Sequence, residues 1–286
     1  MIGDAIRFMN VPKKAVDLDV IRAFIDDENP KRINFASHHS NALRRSERDN
    51  IVGRIVLPFD DTIEPIACHC LGMDRFLFPS KFGNSFYRQI HSEEEYTRIA
   101  AFVERVRDVV FLRDTLDMSI ALSMHEIEPG QRTVLGEHEY QVKYQQGNRD
   151  TADDLASLTA ELQQRLEDLP YFKLADYVCA VPSSKLFMRD VIGNLEGFTF
   201  TDISAHVSWD NKNGSLKNVE TADEKLDMIQ SWGFRMAEGI DLKDKTVLLL
   251  DDMYQSGVTM QYVAMRLKEA GAKRVFGMAI VKSLGN

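Results

Sequence analysis

Residues 246–259 read Thr246-Val-Leu-Leu-Leu-Asp-Asp-Met-Tyr-Gln-Ser-Gly-Val-Thr259, an apolar run that leads into two acids and a short polar loop. The apolar run predicts a buried strand, and the spacing of apolar residues after Thr259 predicts a helix that ends near Gly271. In an open parallel α/β sheet, ligands bind beyond the carboxyl ends of the strands. The stretch therefore predicts an α/β fold with a binding site where this strand meets its helix.

The residues at this junction suit a sugar phosphate. The start of a helix offers unpaired N–H groups and a partial positive charge, which favour a phosphate. Gly257 lets the backbone approach a ligand closely, and Ser256 and Thr259 add hydroxyl donors. Asp251 and Asp252 can accept hydrogen bonds from sugar hydroxyls, and they can also lie near Mg²⁺, which prefers oxygen ligands. Two acids after a strand are common, so the prediction rests on the whole order of strand, acids, glycine and helix.

Strands and helices alternate through the second half of the chain, which predicts a parallel sheet covered by helices on both faces. The predicted strands are Tyr177–Val181, Phe198–Ile203, Val247–Leu250 and Val275–Val281. Helices are predicted after Thr151, where leucines line one side, and over residues 222–232. Residues 132–145 are rich in β-branched and aromatic residues and predict a hairpin with a turn near Gly136. The polar residues 206–218 predict a loop.

The first part of the chain gives weaker patterns. Apolar spacing predicts a short helix over residues 20–25 and an amphipathic helix over residues 99–110. Residues 37–50 are polar and predict a loop or an exposed helix. Residues 58–90 are rich in Pro, Gly and Phe, and they predict irregular structure.

Composition sets limits on the class of protein. The chain has 286 residues, of which 44% are hydrophobic and 28% are charged, as expected for a globular protein of one or two domains. Its net charge of −9 would repel a long phosphate backbone unless a local basic patch compensated, so nucleic acid is not the expected partner. Only three cysteines occur, and no signal peptide or membrane-length apolar stretch is seen. A cytoplasmic location without a membrane partner is therefore predicted.

Taken with its surroundings, the stretch from Leu248 to Thr259 resembles the phosphoribosyl-pyrophosphate motif of type I phosphoribosyltransferases. Within that family, the layout is similar to ComF-like proteins, which are linked to competence. The resemblance is carried by Val142-Lys-Tyr-Gln-Gln-Gly147, by Asp176-Tyr-Val-Cys-Ala-Val-Pro-Ser-Ser184 and by Leu267-Lys-Glu-Ala-Gly-Ala272. It implies a phosphoribosyltransferase-like domain over residues 139–286, preceded by an N-terminal accessory region, residues 1–138, of unknown role. The sequence departs from the ComF-like pattern at Arg189–Asn194 and has no N-terminal Cys-x-x-Cys zinc ribbon.

The resemblance also implies roles for individual residues. Asp251 and Asp252 would hold the ribose hydroxyls and Mg²⁺ as the catalytic acids. The 5′-phosphate would be held by Tyr254, Gln255, Ser256, Gly257, Val258 and Thr259, through backbone N–H groups and the two hydroxyls. The pyrophosphate would lie near Ser183, Ser184 and Lys185, with Lys143 facing the same site. Residues 206–218 would form a hood over the site, with Lys217 as a phosphate contact.

The implied activity is transfer of a phosphoribosyl group from phosphoribosyl pyrophosphate to an unidentified nitrogen acceptor. Nucleoside monophosphate is the corresponding product-side ligand, and a homodimer is compatible with the resemblance. A protein with this fold can also bind the sugar phosphate without turnover. A ligand sensor and a DNA-processing accessory protein therefore stay open as alternatives.

Three other residue clusters carry weaker hypotheses. Cys68-His69-Cys70, with His38, His39 and His91, suggests zinc, but its spacing is not that of a structural zinc pair, and ordinary packing is favoured. A basic patch around Arg44, Arg45 and Arg48 is interrupted by acids, which favours a solvated surface. Trp209 and Trp232 stand near the hood, where either can stack on a base, although Trp232 is better explained as core.

Overall fold

The protein forms two compact units, and the computed structural model describes residues 16–36, 42–46, 50–81, 83–145, 148 and 150–285. Among these residues, the first unit contains Pro30–Arg113, and the second contains 16–29 and 114–285. In this part of the chain, no helix has the length and apolar character needed to cross a membrane.

The first unit is built around a four-stranded antiparallel sheet with the order β2-β3-β5-β4. Its strands are β2 (Leu43–Arg45), β3 (Gly53–Leu57), β4 (Phe78–Pro79) and β5 (Phe86–Ile90). Two further strands, β1 (Arg32–Asn34) and β6 (Val110–Leu112), pair with each other antiparallel. The helices of this unit are α2 (Ile63–Leu71) and α3 (Glu93–Arg105).

The first unit corrects three predictions. Residues 58–90, predicted as irregular, contain a helix and two strands, because Ile63, Ile66 and Phe76 are buried together with the sheet residues. The predicted helix over residues 99–110 ends at Arg105, and Val110 instead begins strand β6. Residues 37–50, predicted as a loop or an exposed helix, contain strand β2 at Leu43–Arg45, which pairs with β3; residues 37–41 and 47–49 lie outside the described residues.

The second unit contains a five-stranded sheet in which all neighbouring strands are parallel, in the order β7-β15-β14-β10-β11. The strands are β7 (Met118–Met124), β10 (Tyr177–Ala180), β11 (Thr201–Asp202), β14 (Thr246–Tyr254) and β15 (Arg274–Lys282). Residues 246–250 and 275–282 are buried without interruption, as expected for parallel strands covered on both faces. The predicted α/β class with a parallel sheet is thus confirmed.

Helices pack against this sheet. They are α4 (Val134–Tyr144), α5 (Ala152–Asp168), α6 (Phe187–Gly193) and α8 (Val258–Glu269). Two more, α1 (Leu18–Asp26) and α7 (Ala222–Ser231), pack on α8 through a cluster that includes Ile21, Leu226 and Tyr262. The N-terminal helix predicted over residues 20–25 is therefore confirmed, and it belongs to the second unit.

The hairpin predicted over residues 132–145 is wrong, because these residues form helix α4. The actual hairpin lies just before it and joins β8 (Glu126–Glu128) to β9 (Gln131–Arg132) through the Pro129-Gly130 turn. Thr133 caps the helix by accepting a hydrogen bond from the Gly136 N–H at 3.0 Å. A Cβ atom at position 136 would lie 2.0 Å from the carbonyl oxygen of His125. Gly136 thus permits a close helix contact where a turn was predicted.

One strand prediction and one loop prediction also change. The strand predicted over Phe198–Ile203 is reduced to Thr201–Asp202. Residues 206–218, predicted to be a loop, contain β12 (Val207–Trp209), which pairs with β13 (Phe234–Met236), and a 3-10 turn at Leu216–Asn218.

Candidate functional site

The acid pair Asp251 and Asp252 lies within the last four residues of strand β14. Sequence placed these acids beyond the strand, but β14 continues to Tyr254 because Met253 and Tyr254 still pair with Val281 and Lys282 of β15. Both acids are half-buried. Since successive side chains of a strand point to opposite faces, the two carboxylates meet different neighbours.

Helix α4 places a cation against one of these acids. The Lys143 Nζ atom lies 2.8 Å from Asp252 Oδ2 and 3.1 Å from Glu139 Oε1, one helical turn earlier. Glu139 is fully buried, and its other oxygen lies 3.6 Å from His125 Nε2. Burial alone would lower the pKa of Lys143, but the charges of Asp252 and Glu139 outweigh it and hold that pKa above its ordinary value. Lys143 is therefore a permanent cation of the site.

Asp251 is the acid whose ionisation is most disfavoured. Burial raises its pKa well above the ordinary range, and the negative charge of Asp252 raises it further. The positive charges of Lys143 and Lys212 act in the opposite direction. The site thus disfavours the ionised form of Asp251, and a bound cation would favour it.

Lys212 is a residue of this site that sequence reasoning missed. Its side chain is exposed as a whole, yet partial burial of the ammonium group lowers its pKa, against the raising effect of Asp251 and Asp252. Its Nζ atom also lies 5.0 Å from the centre of the Trp232 ring. Lys217, the predicted contact, is exposed in the 3-10 turn that follows. Both lysines belong to the same polar stretch, and spacing alone does not tell them apart.

The turn after the acids is shaped by Gly257. This residue has a φ of 75° and is the N-cap of helix α8, whose start has no side-chain cap. A Cβ atom here would lie 2.1 Å from the Tyr254 hydroxyl oxygen. That hydroxyl donates to Asp114 Oδ2 at 3.0 Å, and Ser119 Oγ donates to the same oxygen at 2.6 Å. The turn therefore packs against the side chain of the buried Tyr254. The first N–H groups of α8 have no capping side chain, so they can donate hydrogen bonds to a ligand.

The predicted phosphate-loop residues differ in what they can offer a ligand. Gln255 is exposed, and Ser256 and Thr259 are half-buried, so these side chains can reach a bound group. Tyr254 and Val258 are buried, which leaves only their backbone groups for binding. A bound phosphate would therefore be contacted by backbone N–H groups and by the hydroxyls of Ser256 and Thr259.

A second loop follows strand β10, which is the parallel neighbour of β14. The Val181 N–H donates to the Leu250 carbonyl at 2.8 Å, so this loop leaves the sheet beside the acid pair. Ser183, Ser184 and Lys185 are all exposed, and the Lys185 N–H donates to Ser183 Oγ at 3.2 Å. Because the carboxyl ends of parallel strands meet at one edge, the two loops share one side of the sheet.

The predicted hood, residues 206–218, is attached to this second loop. The Trp209 indole N–H donates to the Pro182 carbonyl at 2.8 Å. The Trp209 ring also packs edge-on against Trp232 and Phe234, with centroid distances of 5.5 and 5.8 Å. Trp232 is buried, which confirms its prediction as a core residue. Packing already occupies Trp209, so it holds the segment in place.

The donor set of the acid pair fits Mg²⁺. This ion is commonly bound by one or two carboxylates together with substrate phosphates and water. Asp251 and Asp252 supply the carboxylates, and a cation beside them would offset the burial and the charge of Asp252 that raise the pKa of Asp251. Among the described residues, no group of three His, Cys, Asp or Glu side chains could hold a metal. The zinc hypothesis thus gains no support there, and His38 and His39 lie outside those residues.

Comparison with known proteins finds a family whose model matches part of the chain. Residues 179–283 match the family described as phosphoribosyl transferase domain. The chain is similar to a purine phosphoribosyltransferase structure from Pyrococcus horikoshii, with 18% identity and a TM-score of 0.29, over 44% of this chain and 71% of that one. A hypoxanthine phosphoribosyltransferase structure from Staphylococcus aureus has 14% identity and a TM-score of 0.32, over 47% and 74%. No protein of curated function matches. The family match includes the acid pair, both loops and residues 206–218, whereas Lys143 lies before it.

Proposed function

We propose that the second unit is a phosphoribosyltransferase that binds phosphoribosyl pyrophosphate and transfers its phosphoribosyl group to a nitrogen acceptor. The observation that carries the proposal is the placement of Asp251 and Asp252 just before the uncapped start of helix α8. The match of residues 179–283 to the phosphoribosyl transferase domain supports it.

In this proposal, each part of the site binds one part of the ligand. Asp251 and Asp252 accept hydrogen bonds from the ribose hydroxyls. The N–H groups of residues 254–259, with the Ser256 and Thr259 hydroxyls, hold the 5′-phosphate, because a helix start favours an anion. Ser183, Ser184 and Lys185 hold the pyrophosphate, for which their exposed positions leave room.

The proposed reaction breaks the bond from ribose C1 to the pyrophosphate oxygen and forms a bond from C1 to the acceptor nitrogen. The positive charge that develops on the sugar would lie near Asp251 and Asp252, and the leaving pyrophosphate would lie near Lys185. Mg²⁺, when bound at the two acids, would supply charge stabilisation to the phosphates. The hood residues 206–218 would exclude water, which otherwise hydrolyses the reactive sugar.

A second candidate function is binding without turnover. The contact of 2.8 Å between Lys143 and Asp252 favours it if Asp252 keeps this partner when a ligand binds, because only Asp251 would then act on the sugar. A protein of this kind would sense phosphoribosyl pyrophosphate or a nucleotide, or would serve as a competence-like accessory in DNA processing. The ComF-like subtype, a domain boundary near residue 139, a homodimer and a cytoplasmic location are further parts of the proposal that rest on the sequence.

Two measurements on the full chain test the proposal. Isothermal titration with phosphoribosyl pyrophosphate and Mg²⁺ measures binding, and pyrophosphate release with a panel of nucleobases measures turnover. The variant Asp251→Asn with Asp252→Asn should lose release. The control Asp153→Asn with Asp227→Asn removes the same charge from exposed positions and should keep it. Binding without release for any base would favour the sensor, and absence of binding would contradict both functions.

A further inference from the structure

The four-stranded sheet of the first unit has one buried face and one open face. In β3, Gly53, Ile55 and Leu57 are buried, while Arg54 and Val56 between them are exposed. The buried face lies on the helix side, since a Cβ atom at Gly53 would meet the Tyr96 ring of α3 at 2.6 Å. The other side carries what we call the open sheet face, formed by Arg44, Arg54, Val56, Phe78, Tyr87 and Gln89.

Strand register arranges these six residues in two rows across the sheet. Arg44 lies opposite Arg54, and Arg54 lies opposite Gln89, which gives a basic and polar row. In the next row, Tyr87 lies opposite both Val56 and Phe78, which gives an apolar and aromatic row. The rows are two residues apart along the strands, which corresponds to about 7 Å. Phe78 and Val56 keep 43% and 44% of their surface exposed, so the aromatic row faces solvent.

The arginines of the two faces have different surroundings. Strands β2, β3, β4 and β5 contain four arginines and no Asp or Glu. On the helix side, carboxylates of α3 pair with both arginines, Glu93 with Arg45 at 2.6 Å and Glu95 with Arg88 at 2.8 Å. On the open sheet face, Arg54 has no ion pair within the described part of the chain. Arg44 lies directly opposite Arg54, so a phosphate that contacts Arg54 is also within reach of the Arg44 guanidinium.

A third arginine extends the positive charge to the aromatic row. The Arg75 guanidinium lies 5.0 Å from the centre of the Phe78 ring. The wider unit is also less acidic than the rest of the protein. Residues 30–113 hold 13 Lys and Arg against 11 Asp and Glu, whereas the whole chain has a net charge of −9. The general repulsion of a polyanion by this protein is therefore weakest at this unit.

We propose that the open sheet face binds single-stranded nucleic acid. Unpaired bases would stack on Tyr87 and Phe78, because every base offers a flat face to an aromatic ring. The phosphates between them would contact Arg44 and Arg54, whose guanidinium groups suit phosphate oxygens. A duplex hides its base faces, so the aromatic row selects single strands. This binding belongs to the first unit and goes beyond the proposed transferase function of the second.

Fluorescence anisotropy with the full chain tests this proposal. The probes are fluorescein-labelled 20-nucleotide oligomers of uridine and of deoxythymidine, and a mixed-sequence DNA duplex of equal length, at 50 to 200 mM salt. Both single strands should bind more tightly than the duplex. Tyr87→Ala or Phe78→Ala should weaken binding at least about fivefold, as expected for the loss of one stacked base. Tyr87→Phe keeps a ring and should keep the affinity.

The salt dependence of binding tests the two arginines of the basic and polar row. Arg44→Ala with Arg54→Ala should reduce the slope of log affinity against log salt by about 0.7 for each lost phosphate contact. The control Arg45→Ala with Arg107→Ala removes the same charge away from the open face and should keep the slope. Circular dichroism checks that each variant is folded. The proposal is overturned if neither single strand binds at 50 mM salt, if the duplex binds equally well, or if folded Tyr87→Ala and Phe78→Ala variants keep full affinity. Preference for RNA over DNA, or the reverse, would identify which nucleic acid the face favours and would uphold the proposal.

Discussion

Replacement of Lys143 by Met should destabilise the second unit strongly, because it leaves buried negative charge without its cation. Glu139 is fully buried, and Asp252 keeps only 14% of its side chain exposed, so neither carboxylate is well hydrated once Nζ is removed. Breaking a buried ion pair from one side costs 3–5 kcal/mol, and we expect about 3 kcal/mol here, since partial exposure admits some water. Met keeps most of the packing volume of the lysine stem, so the loss reports the charge.

The assay is urea unfolding followed by tryptophan fluorescence. The only two tryptophans, Trp209 and Trp232, both lie in the second unit, so their signal reports that unit alone. Lys273→Met is the matched control, because Lys273 is exposed and should change the unfolding free energy by less than about 0.5 kcal/mol.

A second substitution identifies the cause of the loss. Glu139→Gln removes one buried charge, so the double variant with Lys143→Met should recover part of the lost stability. A loss below about 1 kcal/mol for Lys143→Met would refute the reasoning, since the site would then hydrate its carboxylates without the cation. A large loss that Glu139→Gln leaves unchanged would also refute it, because the effect would then come from packing.

Three further predictions concern the same unit. Gly257→Ala should lower the unfolding free energy by about 3 kcal/mol in the same assay, because the added methyl group would collide with Tyr254. Gly239 has a similar positive φ, but no atom lies within 4 Å of an added Cβ atom there. The control Gly239→Ala should therefore lower the unfolding free energy by only about 1 kcal/mol. Because the pKa of Asp251 is raised by burial and by its acidic neighbour, the unfolding free energy should fall as the pH rises above the ordinary value of 3.8, by at most about 1.4 kcal/mol per pH unit. Asp251→Asn should flatten this dependence, and an unchanged pH profile would contradict the assignment. Trp209→Phe keeps a ring but loses the indole hydrogen bond at 2.8 Å, so it should weaken phosphoribosyl pyrophosphate binding in titration more than it lowers stability.

The strand and helix around the acid pair were predictable because local pattern and tertiary environment agree there. Val247–Leu250 is continuously apolar, and a central parallel strand buries both of its faces. The apolar residues of α8 recur with helical spacing, and Gly271 follows the end of the helix. Where one short stretch contains its own strand, turn and helix start, the sequence determines the geometry.

Helix α4 was mispredicted because its local preference and its environment disagree. Valine, tyrosine and glycine in residues 132–145 favour a strand or turn by propensity. The helix is stabilised instead by the Thr133 cap, by burial of Val142, by the ion pair between Glu139 and Lys143, and by the close contact that Gly136 allows. Such tertiary contacts override weak propensities, and they involve residues distant in sequence.

Only some residues of the site could be predicted from the sequence. The acids and the glycine turn carry a local signature, and Lys143 came from the family resemblance. Glu139 gave no signal, because a glutamate in a polar helix is ordinary until the fold buries it. Lys212 and Lys217 were equivalent by position, and only the course of the chain through β12 brings the charge of Lys212 to the acids.

Glu139 explains how Asp252 can serve a ligand while it is paired with Lys143. If Asp252 turned to a ribose hydroxyl or to Mg²⁺, a lysine with no other partner would be left as a buried unpaired cation, at a cost of several kcal/mol. Lys143 has a second carboxylate 3.1 Å away, and Glu139 is fixed by complete burial one helical turn earlier. The cation therefore keeps a partner whichever way Asp252 points, so the exchange of Asp252 from lysine to ligand costs little. The same arrangement accounts for a buried glutamate that touches no substrate in the proposed function.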